Sequence, residues 1–319
     1  MKNLLVLAEP GLSHLAALGQ LPVDHALWDR AAVERALQLG TALPFDTVLV
    51  CMGQSERLKA LWPLLPAVTW VHTLSAGVDT LLFDALVRSN VEVTNAAGVY
   101  AQPLAEFALW AMLHHTRGGA RLAQAQRDAR WDPFAPAELA GQQLLVVGYG
   151  GIGRAVAARA RAFGMRITAV RRHPAPDEVV QDVWGMDALD VLLPTADHVV
   201  LCAPLTVDTH RLMDARRLSR MKRTGFLINV GRGGLVDESA LAGALANDKL
   251  GGAALDVFET EPLPPNHPLW HLPNVVLSPH CADQVAGWQT RSMALFMENA
   301  RATLAGKPRK NVVQKALGY

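Results

Sequence analysis

Leu144-Leu145-Val146-Val147-Gly148-Tyr149-Gly150-Gly151-Ile152-Gly153 is the stretch on which the fold turns. An apolar run of strand length leads directly into a Gly-x-Gly-x-x-Gly pattern made by Gly148, Gly150 and Gly153. An alanine-rich helical segment follows at 152–163. In this setting each glycine has a task. The first permits a tight turn, the second lets a pyrophosphate approach the backbone, and the third lets helix and strand pack closely. The helix opens at the turn, so its unpaired N–H groups and positive dipole end face an anion. A dinucleotide is the expected ligand, cradled by Gly148, Tyr149, Gly150, Gly151, Ile152 and Gly153.

Downstream, Arg166–Val170, His198–Cys202, Gly225–Asn229, Ala253–Val257 and Val275–Leu277 are further apolar runs of strand length, with helical segments at 215–221 and 238–246 between them. Six strands with helical crossovers predict a doubly wound nucleotide-binding domain. Upstream, Asn3–Leu7, Thr47–Cys51, Thr69–Leu74 and Val91–Thr94 read as strands of a second parallel sheet, and residues 25–39 read as one helix through Leu27, Ala31, Val33 and Leu37. Pro103–Thr116 and 119–130 are helical, Trp131-Asp132-Pro133 is a break, and 284–305 is a final helix with Met293, Phe296 and Met297 on an apolar face.

The 319 residues are too many for one ordinary core and suggest two domains. Hydrophobic residues at 50% and charged residues at 18% disfavour disorder. Thirty basic and 29 acidic residues leave a formal charge of +1, which gives no electrostatic footprint for nucleic acid. Cys51, Cys202 and Cys281 are too scattered for a disulfide framework or a metal site. Met1–Leu7 is too short for a signal peptide, and no 18-residue apolar stretch predicts a membrane span, so a cytoplasmic protein is expected.

The strand after the glycine turn selects the cofactor. A carboxylate about 20 residues on would hold the ribose hydroxyls of NAD. No Asp or Glu lies between Gly153 and Asp177, and the strand ends in Arg171-Arg172-His173-Pro174. A guanidinium bonds a 2′-phosphate bidentately, whereas a carboxylate repels it, so NADP is expected over NAD, with NAD still admissible.

Three motifs then close successive strands: Asn229-Val230-Gly231-Arg232-Gly233, Asp256-Val257-Phe258-Glu259-Thr260-Glu261-Pro262 and Ser278-Pro279-His280. Open α/β sheets place ligands at these carboxyl ends. Reduction of a 2-oxo acid needs a cation for the carboxylate, a group to polarise the carbonyl, and a proton for its oxygen. Arg232 supplies the first two. His280 supplies the proton, with Glu261, rather than Glu259, as the carboxylate that supports its charged form.

With Leu74-Ser75-Ala76-Gly77-Val78-Asp79, Asn95-Ala96-Ala97-Gly98 and Ala203-Pro204-Leu205-Thr206, these motifs make nearly the whole chain resemble the D-isomer-specific 2-hydroxyacid dehydrogenase family. The resemblance implies two Rossmann-like doubly wound parallel-sheet domains, with a cofactor domain (99–283) inserted in a substrate domain (1–98 and 284–319). It implies that Arg232 binds and polarises substrate, Glu261 tunes the histidine, and His280 is the general acid/base. Asp256 would hold the nicotinamide carboxamide. Ala203, Pro204, Thr209 and Val230 would line the cofactor, and Ser75-Ala76-Gly77 would offer N–H groups to the substrate carboxylate. A homodimer built on 99–140 is also implied, as are glyoxylate, hydroxypyruvate or a related acid as substrate. An alternative on the same fold is a nucleotide-sensing, corepressor-like binding protein. Phosphite oxidation is a minor option, and Glu261 stands where formate enzymes carry Gln. The chain departs from the family pattern at Ser75, where a glycine is common, and at Cys281-Ala282-Asp283 after His280, which with Trp288 are candidates for shaping the substrate pocket.

Overall fold

Short runs of buried apolar residues build two wholly parallel sheets. The computed structural model describes residues 1–318, which separate into two units: Met1–Tyr100 with the chain from Ala286 onward, and Ala101–Val285.

In the first unit five strands, β1 (Asn3–Leu7), β2 (Asp24–Trp28), β3 (Thr47–Val50), β4 (Trp70–Thr73) and β5 (Glu92–Thr94), align in the order β2-β1-β3-β4-β5. Each central strand is buried on both faces, so its sequence is continuously apolar rather than alternating. Leu5, Leu7, Val48, Val50 and Val71 pack on one face; Leu4, Val6, Leu49 and Trp70 pack on the other. The reading of 25–39 as one helix is corrected. Asp24–Trp28 is an edge strand in register with β1, and helix α1 covers only Arg30–Leu39. The Asp29 carboxylate accepts from the Ala32 N–H at 2.9 Å and fixes the helix start, so Leu27 falls outside the helical stripe and is exposed. Helices α2 (Ser55–Leu61) and α3 (Asp84–Arg88) complete this part.

In the second unit helix α4 (Ala101–Thr116) and helix α5 (Gly119–Arg127) precede seven strands: β6 (Gln143–Val147), β7 (Arg166–Val170), β8 (Val183–Trp184), β9 (His198–Leu201), β10 (Phe226–Asn229), β11 (Gly252–Leu255) and β12 (Val275–Leu277). Their order is β12-β11-β10-β9-β6-β7-β8. The two-residue β8, absent from the sequence expectation, pairs with the end of β7. Strand order reverses between β6 and β9, which makes the crevice beyond their carboxyl ends a topological switch point. Helices α6 (Gly151–Ala162), α7 (Leu189–Leu192), α8 (Ala215–Leu218) and α9 (Glu238–Ala246) lie in the crossovers. The chain then re-enters the first unit as α10 (Trp288–Leu304), whose Met293, Phe296 and Met297 are buried, with Phe296 stacked on Trp70 at 5.5 Å between ring centroids. No helix among the described residues is long and apolar enough to cross a membrane.

One buried histidine in each unit makes the fold acid-sensitive. His72 shares a 2.7 Å hydrogen bond with Thr94 inside the Trp70–Phe296 cluster, and burial holds its pKa down to about 3. His198 is held down to about 4, first by burial and then by His115. A folded pKa below the unfolded value of about 6.5 means that the unfolded chain binds the extra protons. Stability is therefore whole above pH 6.5 and falls as pH drops toward 4, at about 1.4 kcal/mol per unit for each group. Thermal melting followed from pH 7 to pH 4 is expected to show this loss, and His72→Phe to flatten it. Parallel profiles for the two proteins would rule out His72 as a source.

Candidate active site

The glycine turn sits at the switch point because two backbones meet there. Gly148 follows β6 with φ +95°, and a Cβ on it would lie 2.4 Å from the Ala203 nitrogen and 2.7 Å from the Cys202 carbonyl carbon, just past β9. A Cβ on Gly153 would lie 2.4 Å from the Gly148 oxygen and 2.9 Å from Val146 Cγ1. Both are fixed as glycine by steric exclusion. Gly150 and Gly151, in contrast, face open space. Helix α6 begins at Gly151 with no side chain capping it, so the first-turn N–H groups, which have no acceptor within the helix, point into that space. The cradle thus fits a dinucleotide pyrophosphate.

The turn is also tied to the segment after β7. Tyr149 is buried, and its hydroxyl donates to Asp177 Oδ1 at 2.7 Å. Asp177 in turn accepts from the Val179 and Val180 N–H groups at 2.8 and 3.0 Å and pairs with Arg154 at 3.3 Å. Burial and the adjoining carboxylate push the Tyr149 hydroxyl well above its usual range, so it stays protonated as a donor. Asp177 is therefore the first carboxylate after the turn, and it is engaged in holding the loop. Arg171 follows β7, its N–H donating to the Trp184 carbonyl at 3.0 Å, and the Arg172 guanidinium lies 3.3 Å from Asp208. Asp208 belongs to the loop after β9, in which the Thr209 hydroxyl donates to the Pro204 carbonyl at 2.7 Å and accepts from the Thr206 N–H at 2.8 Å. Ala203 and Val230 are buried at the ends of neighbouring strands.

Arg232 is presented by a turn with little freedom. Asn229, the last residue of β10, is buried; its amide donates to the Arg232 carbonyl at 2.9 Å and accepts from the Gly231 N–H at 3.1 Å. A Cβ on Gly233 would fall 1.8 Å from the Phe258 carbonyl carbon, so this turn lies directly on the segment that carries Glu261. Arg232 Nη1 donates to the Gly231 carbonyl at 2.8 Å.

Glu261 and His280 are brought together across 19 residues of sequence. His280 Nδ1 lies 2.7 Å from Glu261 Oε2, while Glu261 Oε1 accepts from the Phe258 N–H at 2.9 Å. With Nδ1 committed to the carboxylate, Nε2 is the ring nitrogen left for a proton acceptor. His280 occupies φ +52°, a left-handed conformation costing about 1–3 kcal/mol for a non-glycine residue. Its N–H bonds to the Asp256 carbonyl at 2.8 Å and the Ser278 carbonyl at 3.0 Å hold it there. Buried Asp256 adds a second anchor: its Oδ1 accepts from the Ser278 hydroxyl at 2.6 Å and from the Cys281 and Ala282 N–H groups at 3.0 Å each. Burial raises the Asp256 carboxyl, and these donors and His280 pull it back.

Behind Glu261 stands Glu238, buried at the start of α9. It accepts from the Glu259 N–H and lies 3.6 Å from His267, and its pKa is raised by burial and by Glu259 and Glu261. Glu259 itself pairs with Arg211 at 3.2 Å. Asn229 and Glu238 are residues beside the site to which the sequence gave no role, although Asn229 lies within a quoted motif; Asp283, a candidate for shaping the pocket, also lies here. A surface groove of about 730 Å³ at the opposite, amino-terminal edge of this sheet, lined by His115, Thr224 and Asn274 among others, holds no comparable acid–base pair.

In the first unit, Ser75-Ala76-Gly77 follows β4. The Ser75 N–H donates to Thr73 Oγ1 at 3.2 Å, and Asn95 Nδ2 donates to the Ala76 carbonyl at 2.6 Å. Trp288 lies 6.1 Å from Tyr100, ring to ring, within the same unit.

A glycine cradle at the switch point of a parallel sheet, with an imidazole–carboxylate pair and an arginine turn at adjoining strand ends, defines a dinucleotide-binding enzyme of the doubly wound class. Residues 109–282 match the family described as D-isomer specific 2-hydroxyacid dehydrogenase, NAD binding domain. A glyoxylate reductase of Thermofilum pendens is 33% identical across 97% of this chain and 93% of its own. The D-isomer specific 2-hydroxyacid dehydrogenase of Xanthobacter autotrophicus, solved with NADPH and MES, superposes with a TM-score of 0.83 at 31% identity over 100% of both chains. The NADPH-dependent glyoxylate/hydroxypyruvate reductase of Sinorhizobium meliloti, solved with NADP and sulfate, gives 0.86 at 25% identity, again over 100% of both. The chain belongs to the D-isomer specific 2-hydroxyacid dehydrogenase family.

Proposed function

We propose that this protein is an oxidoreductase that reduces a small 2-oxo acid to its D-2-hydroxy acid with NADPH. The observation that carries the reading is the 2.7 Å contact between His280 Nδ1 and Glu261 Oε2, at a strand end beside the Arg232 turn. NADPH supplies the hydride when bound. Arg232 binds the substrate carboxylate and polarises the carbonyl, and His280 gives its Nε2 proton to the oxygen as charge builds there. Glu261 keeps the ring oriented and favours its charged form. The NADPH-bound relative and the glyoxylate reductase supply the precedent for cofactor and substrate class.

The remaining assignments belong to the same proposal. The first unit is the substrate unit and the second binds dinucleotide. Gly148, Tyr149, Gly150, Gly151, Ile152 and Gly153 hold the pyrophosphate, and Ala203, Pro204, Thr209 and Val230 line the cofactor. With Asp256 Oδ1 already taken by three donors, its carboxamide contact falls to Oδ2. With the Ser75 N–H turned to Thr73, the substrate carboxylate falls to the Ala76 and Gly77 N–H groups. The enzyme is taken as a cytoplasmic homodimer joined over 99–140, where Trp110, Leu122 and Trp131 are exposed. Exposed aromatics of this kind are enriched at interfaces. The similarity to glyoxylate reductases favours the enzyme over the corepressor-like alternative.

The test is a panel of 2-oxo acids assayed with NADPH and with NADH. Reduction with NADPH preferred is expected, and an inert protein would overturn the reading. Replacing Arg171 and Arg172 with alanine is expected to weaken NADPH by roughly one to two orders of magnitude more than NADH, as loss of charge-assisted bonds to a phosphate demands. Equal weakening of both cofactors would remove the arginines from 2′-phosphate recognition.

A further inference from the structure

The loop that follows His280 is held at nearly every step. Asp256 takes the Cys281 and Ala282 amides, Gln284 Nε2 donates to the His280 carbonyl at 2.9 Å, and the Gln284 N–H donates to the Cys281 carbonyl at 2.9 Å. The exception is the Asp283 side chain. Its Oδ1 is shielded from solvent and has no hydrogen-bond partner among the described residues. This carboxylate lies in the field of three groups of the site: Asp256 repels its charge, while His280 and Arg232 attract it. Burial, more than any of them, pushes its pKa up, and the residue's own backbone N–H is the one donor that acts against it.

A buried acceptor without a donor is costly, and a second negative charge beside Arg232 works against an anionic substrate. The first penalty is relieved, and the second offset, by a ligand that brings its own donor to Oδ1. In a small 2-oxo acid the donor nearest the reacting carbon is a hydroxyl on C3. We propose that Asp283 is a specificity-determining residue that selects 3-hydroxy-2-oxo acids by accepting the hydrogen of that hydroxyl. The inference rests on the reductase reading and narrows its substrate class. Hydroxypyruvate carries the group, pyruvate has the same skeleton without it, and glyoxylate has no C3.

The test is steady-state kinetics with saturating NADPH on hydroxypyruvate and pyruvate, for the wild type and Asp283→Ala. The wild type is expected to favour hydroxypyruvate in kcat/KM by about 10- to 100-fold, the range of a hydrogen bond to a charged acceptor. Asp283→Ala is expected to bring the two substrates within about threefold, mainly through a higher KM for hydroxypyruvate. The readout is a ratio, so general damage that slows both substrates alike does not imitate the effect. Should the alanine variant not fold, Asp283→Asn carries the same test: a neutral acceptor bonds less strongly, and the ratio falls by at least about threefold. An unchanged ratio in the folded variant overturns the assignment of Asp283 and leaves the reductase reading standing. Absence of any 2-oxo acid reduction by the wild type is a failure of that reading instead.

Discussion

His280→Ala is expected to lower kcat for NADPH-driven 2-oxo acid reduction by roughly two to four orders of magnitude, the usual contribution of a positioned general acid. The side chain sits at a strand end in a strained backbone conformation held by two hydrogen bonds from its own N–H. Such strain persists only where the surroundings over-determine it, and a residue there is a candidate for function. Alanine removes the proton source and the partner of Glu261 together, while leaving the glycine cradle untouched. The affinity for NADPH, read by quenching or by calorimetry, is expected to stay within about threefold, because the cradle carries the phosphate contacts. A variant that kept more than about a tenth of wild-type kcat would take the imidazole out of proton transfer.

Gly233→Ala is expected to be more damaging than its position in a surface-adjacent turn suggests. The added methyl would meet the Phe258 carbonyl carbon at 1.8 Å, a backbone atom that rotation of a side chain cannot move aside. Either the Arg232 turn or the segment leading to Glu261 must shift, at a cost of about 1–3 kcal/mol or more. Both outcomes separate groups that must act on one substrate, and a displacement of this kind can cost about 100-fold in rate. Gly234→Ala is the control: its methyl would meet side chains alone, Leu205 at 3.1 Å and, at an ordinary contact distance of 3.7 Å, His210, and side-chain atoms can shift where backbone cannot. The pair is compared by melting temperature and by kcat/KM. Equal behaviour of the two variants would mean that the turn and the Glu261 segment move apart freely.

The proposed reaction centre was readable from the sequence because its three candidate side chains stand in motifs at strand ends, and strand ends follow from apolar runs. The parallel sheets were legible for the same reason: Leu4–Leu7 or Val199–Leu201 are buried on both faces and hide no polar position. What escaped was settled by contacts between distant segments. Asp24–Trp28 is an edge strand with three of its five residues exposed, so its pattern runs unbroken into the helix that Asp29 caps. Strand β8 is two residues long and exists only because β7 offers it an edge. The importance of Gly233 depends on Phe258, 25 positions on, and that of Asp283 on a missing partner. Neither a close approach nor an unmet hydrogen bond is written in a local pattern.

The tie between Tyr149 and Asp177 separates two tasks that a nucleotide site usually mixes. The glycine turn grips the part common to every dinucleotide and tolerates no revision, since backbone presses on backbone between Gly148 and Ala203. The strip from Arg171 to Asp177, to which the proposal gives the choice between the two nicotinamide carriers, is fastened to the turn and its helix through the side chains of Tyr149 and Arg154. If the arginines select the carrier as proposed, redox currency is expected to be exchanged by editing that strip, with the chemistry downstream left as it is.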